Sequence, residues 1–153
     1  MGTTAAPTQL VVSTSVLLLR ESLKRGHRAR CILRGDSMAP TLPPDCEIEV
    51  APLPGRVHLG ELLVFAAAGD AVIAHRLVRR AGARWITQGD GRLGPDPPLD
   101  PDQALGVVVA AYTLDGRRCW PGRFPRALAW LWIAHAAVLR PLRWVRRAIA
   151  RLR

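Results

Sequence analysis

The stretch Glu61–Val78, ELLVFAAAGDAVIAHRLV, decides the fold. Two apolar runs, Glu61–Ala67 and Ala71–Val78, flank Gly69-Asp70, the kind of dipeptide that tight hairpin turns favour. The reading predicts two antiparallel strands. Working outward, Arg84–Thr87 forms another short run before the turn Gly89-Asp90-Gly91, and Ala104–Leu114 is a Val-rich strand. Between them, Gly91–Asp102 (GRLGPDPPLDPD) carries too much Pro and Gly to be anything but a loop. Upstream, Glu47–Val50 (EIEV) alternates like a half-buried strand, and Cys31–Leu33 is a brief apolar run ending at Gly35-Asp36. Residues 8–25 place Leu10, Val11, Val12, Val16, Leu17, Leu19 and Leu23 roughly at helical spacing, with Gly26 as a stop.

Charge divides the chain further. It has 153 residues, enough for one domain with a real core, and a formal net charge of +10. Residues 1–116 balance 12 basic against 12 acidic residues, whereas residues 117–153 hold ten Arg and no acid. Within that segment Leu131, His135, Val138, Leu142, Val145, Ile149 and Leu152 recur at three- and four-residue intervals, with Arg on other faces and Pro141 as a kink. The expected organisation is an N-terminal helix over 1–26, a β domain over 27–116 and a basic amphipathic C-terminal helix over 117–153. No stretch of about 20 uninterrupted apolar residues is present to span a bilayer, and the first 25 residues lack the basic start of a secretory leader. Cys31, Cys46 and Cys119 are odd in number and lack CxxC spacing, so they predict neither a disulfide framework nor a zinc site. No cofactor is implied.

The chemistry centres on Gly35-Asp36-Ser37-Met38-Ala39-Pro40-Thr41-Leu42. A serine between a Gly-containing turn and a Pro, just past a strand, is held on an exposed corner, as a nucleophile needs to be. A lone serine in a turn is most often structural; the eight-residue string is far more specific. It resembles the signal peptidase I family, whose nucleophile lies in a Ser-Met-x-Pro-Thr-Leu setting. The resemblance continues in order through Gly60-Glu61-Leu62-Leu63-Val64-Phe65, Ile73-Ala74-His75-Arg76-Leu77 and Thr87-Gln88-Gly89-Asp90-Gly91, covering roughly residues 30–110. It implies a mainly β fold of the signal-peptidase/repressor-peptidase kind. It also implies a serine endopeptidase that removes a leader or signal segment from a precursor, with small residues such as Ala before the cut.

The resemblance casts Ser37 as nucleophile and His75 as general base, since the endoplasmic-reticulum and archaeal members carry His-Arg where most bacterial members carry Lys. Lys24, in the N-terminal helix, is the chain's only lysine. An imidazole can accept a serine proton near neutral pH without the desolvation a lysine requires. A histidine base is commonly oriented by a carboxylate. Asp90 and Asp96 stand where that branch has functional aspartates; Asp36 is a third candidate. The bland alternative for Asp90 is a turn cap. His27, His58 and His135 fall outside the matching segments and read as structural. One departure is Gly35, where the family often has a serine whose hydroxyl assists the oxyanion; backbone N–H groups, Ser37 first, would then serve.

Strands beside the site, such as Cys31–Leu33 and Leu62–Phe65, suit an extended peptide bound by strand addition. The Arg- and Trp-rich segment 117–153 suits the headgroup zone of an anionic membrane, ahead of a partner protein and then nucleic acid. A peripheral membrane protein at the cytoplasmic face is the expected location. Two other readings compete. Self-cleaving repressor-type proteins share a related β fold but use a Ser/Lys pair, which is missing here. A non-catalytic module of the same fold, binding a membrane or partner through its tail, is the alternative that Gly35 leaves open.

Overall fold

Where apolar and polar residues alternate cleanly, they form strand. Cys46–Pro52 buries Cys46, Ile48 and Val50 and leaves the residues between them part-exposed. The structure, a computed structural model, describes residues 7–66 and 72–120. In chain order it contains α1 (Pro7–Lys24), β1 (Ala29–Leu33), β2 (Cys46–Pro52), β3 (Leu62–Ala66), β4 (Val72–Ala81), β5 (Arg84–Gln88), β6 (Ala104–Tyr112) and β7 (Arg118–Trp120), with a short 3-10 helix at Pro101–Gln103. The strands form one seven-stranded sheet ordered β1-β2-β6-β3-β4-β5, with β7 paired to β6. Every pairing is antiparallel. The expected mainly β architecture with an N-terminal helix is therefore present.

The two faces of the sheet bury separate apolar clusters. On one, Val16, Leu19 and Leu23 of α1 pack with Ile48, Val50, Val64, Ala74, Leu105 and Ala111. Met38 and Leu42 join this cluster at 1% exposure each. Both follow Ser37 in the chain, and burying each is worth about 1.5–3 kcal/mol, so the corner is anchored on its C-terminal side. The second cluster combines Val57, Leu63, Phe65, Leu77, Trp85, Leu99, Ala104 and Val107.

The hairpin read from Gly69-Asp70 is confirmed in its strands, which pair from Leu62↔Arg76 to Ala66↔Val72. One feature differs from the expectation, and a second adds to it. The sheet runs on to Trp120, beyond the boundary at 116 that the charge pattern marks, because Arg118 and Trp120 pair with Tyr112 and Ala111. The Pro-rich loop also does not swing free. It folds back along β5, where Trp85 and Leu99 exchange two backbone hydrogen bonds of 2.9 Å and Asp96 N–H donates to Thr87 O at 2.8 Å. This covers an otherwise open sheet edge. The expected C-terminal helix lies outside the described residues from 121 onward.

Candidate active site

His75 and Arg76 are consecutive on β4, so their side chains leave on opposite faces of the sheet. Each meets its own aspartate, and both aspartates come from the segment following β5. His75 is held among apolar neighbours: it pairs across the ladder with Leu63, its ring lies edge-on to Phe65 at 6.1 Å, and its side chain is 8% exposed. Nδ1 lies 2.7 Å from Asp96 Oδ2. A carboxylate only accepts, so Nδ1 carries the proton and Nε2 of the neutral ring is left with a lone pair. Thr87 Oγ1 donates to the same Asp96 oxygen at 2.7 Å.

Arg76 is one of the most deeply buried side chains. Its Nε and Nη2 donate to Asp90 Oδ1 and Oδ2 at 2.9 and 2.6 Å, and Nη1 donates to Gly60 O at 2.7 Å. Its guanidinium also lies 5.8 Å from the Trp120 ring centroid. Both oxygens of Asp90 are thus committed to Arg76, so of the two candidate carboxylates it is not Asp90 that meets His75. That position belongs to Asp96. Asp36 is exposed, and what it supplies is its carbonyl, which accepts from Ala39 N–H.

The turn after β5 brings the serine to the histidine. Gly91 N–H donates to Ser37 O at 2.8 Å. A Cβ on Gly89 would lie 2.5 Å from that same carbonyl and 2.9 Å from His75 Nε2, so Ser37 and His75 face each other across a space only glycine leaves open. Gly89→Ala should therefore push the Ser37 corner away from His75. A loss of about 1–3 kcal/mol in stability is expected, measured by thermal denaturation, along with loss of any Ser37-dependent activity.

Ser37 is half-buried, and among the described residues neither its Oγ nor its N–H has a hydrogen-bond partner. Gly35 takes φ +83° with open space around it, a conformation that strains a side chain-bearing residue. His58 N–H donates to the Glu61 carboxylate at 2.8 Å and its carbonyl accepts from Glu61 N–H at 3.2 Å; His135 lies outside the described residues.

Thr87 and Gly89 were missed from sequence. The available signals were a hydroxyl in a fully buried strand position and a glycine preceding the aspartate turn. The three thiols are poor rival nucleophiles. Burial raises each above its ordinary value, and Cys31 reaches about 11, with Glu47 and then Cys46 adding to the burial effect. A raised pKa leaves little thiolate at neutral pH. Iodoacetamide should label the native protein slowly at pH 7.5 and the urea-unfolded protein rapidly, as read by intact mass. Among the described residues no group of His, Cys, Asp and Glu is arranged to hold a metal ion.

No model of a known protein family matches this chain, and a search of curated proteins finds no match.

Proposed function

We propose that this protein is a serine endopeptidase of the signal peptidase I type that cuts a leader or signal segment from a precursor through Ser37, His75 and Asp96. The observation that carries the reading is the Asp96–His75 hydrogen bond at 2.7 Å, with Nε2 directed toward the Ser37 corner across Gly89. His75 Nε2 takes the Ser37 proton as Oγ attacks the scissile carbonyl, and Asp96 stabilises the imidazolium that results. The same proton then passes to the leaving amine, and water, deprotonated by His75, hydrolyses the acyl-enzyme. The Oγ–Nε2 contact closes as substrate docks, as catalytic contacts commonly do. Ser37 N–H, uncommitted in this structure, is a donor for the oxyanion.

The strand β1, at the edge of the sheet and leading to Ser37, offers its free side to an extended peptide. The segment 117–153 supplies Arg and Trp for an anionic membrane surface, and the cytoplasmic face is the proposed location. Among the described residues no helix is long and apolar enough to cross a membrane.

The test co-expresses wild type, Ser37→Ala and His75→Ala with candidate precursors and reads product masses. A defined fragment released by wild type alone supports the peptidase. Identical behaviour of all three on precursors that bind would make the chain a non-catalytic module of the same fold.

A further inference from the structure

We infer that Thr87 is a positioning residue for the proposed reaction: its hydroxyl holds the Asp96 carboxylate in the one orientation that fixes His75 for base catalysis. The inference rests on the peptidase reading for its kinetic meaning, though not for its geometry.

Asp96 has little of its own to keep it in place. It sits in Gly94-Pro95-Asp96-Pro97-Pro98, a segment without regular secondary structure, and its side chain is 23% exposed. Beyond its bond to His75, two contacts from one residue tie it to the sheet. Asp96 N–H donates to Thr87 O at 2.8 Å, and Thr87 Oγ1 donates to Asp96 Oδ2 at 2.7 Å. The backbone bond sets where the loop lies along β5, and the side-chain bond sets the carboxylate's rotation. Because the hydroxyl and His75 Nδ1 converge on the same oxygen, each donor limits where the other can approach.

Thr87 is also an odd choice for its position. It is fully buried in a strand, between Ile86 and Gln88, where a valine would have nearly the same shape and the same β-branched preference for strand. Burying a hydroxyl costs free energy unless a partner repays it. Among the described residues its partner is the Asp96 carboxylate that meets His75, so the hydroxyl serves Asp96 more than it serves the fold.

The experiment compares Thr87→Val and Thr87→Ser with wild type in the full-length protein, using two readouts. The first is cleavage of a synthetic leader-type peptide (a basic start, an apolar run and an Ala-x-Ala end). The second is the low-field proton resonance of His75 Nδ1–H, identified by its loss in His75→Ala. For Thr87→Val, kcat should fall on the order of 10- to 100-fold, the scale of a hydrogen bond to a charged group, with KM changed less than about twofold. The low-field proton should broaden or shift, the melting temperature should hold to within a few degrees, and Thr87→Ser should restore most of both readouts. An unchanged kcat and an unchanged proton in Thr87→Val would overturn the inference, as would a change confined to KM. If the wild type cuts no such peptide, the peptidase reading is in question, and the proton resonance alone decides whether Thr87 positions Asp96.

Discussion

Asp96→Asn is expected to lower turnover on the order of 10⁴-fold, the effect seen where an orienting carboxylate in a Ser/His/Asp arrangement is made neutral. The carboxylate has two tasks, and asparagine fails at least one in either orientation. With its amide nitrogen toward Nδ1 it demands the opposite tautomer, which puts the proton on Nε2 and leaves no base facing Ser37. With its oxygen there it keeps the tautomer, but it no longer offsets the positive charge on the ring in the transition state. The fold should be barely affected, because Asp96 is partly open to solvent and its backbone bond to Thr87 remains. Steady-state kinetics on a cleaved precursor, alongside a thermal melt, would check this. A loss below about tenfold would leave Asp96 without the orienting role its geometry suggests.

Asp90 should behave in the opposite way. Arg76 and Asp90 form a two-pronged ion pair in which both side chains are 1% exposed, and removing either leaves a buried charge without its counterion. Arg76→Met or Asp90→Leu is expected to cost about 3–5 kcal/mol, which lowers the melting temperature by on the order of 10 °C in a domain of this size. The double variant should recover much of that loss, since two apolar side chains of similar size leave no charge stranded. Activity in the single variants should fall in step with the folded fraction and with displacement of the 89–91 turn, whose Gly91 N–H holds the Ser37 carbonyl. Thermal denaturation of these four proteins beside Asp96→Asn separates the two aspartates: on the proposed reading Asp96 orients the base, whereas Asp90 holds the structure around it.

That separation marks the limit of what was legible in the chain. The strands announced themselves where burial follows a simple period, as in Glu47–Val50, and where a turn dipeptide sits between apolar runs, as at Gly69-Asp70. The strand at Arg118–Trp120 did not, because three residues, one of them an arginine, carry no periodicity; pairing with β6 is what makes it a strand. The serine and histidine stood out as members of ordered motifs. The two aspartates looked equivalent, because spacing along the chain says nothing about which face of β4 each will reach. The deciding event is tertiary: the Pro-rich segment turns back along β5 and delivers Asp96 beside Thr87, while Asp90 stays in the turn beneath Arg76.

On the proposed reading, the setting of His75 has a consequence for how such a reaction centre changes over evolutionary time. A lysine placed at position 75 would inherit a carboxylate at hydrogen-bonding distance, already steadied by Thr87. An opposite charge that close favours the ammonium form, and an ammonium cannot take a proton from serine. Passing from an imidazole base to an amine base therefore requires dismantling the acidic partner first, or at the same step.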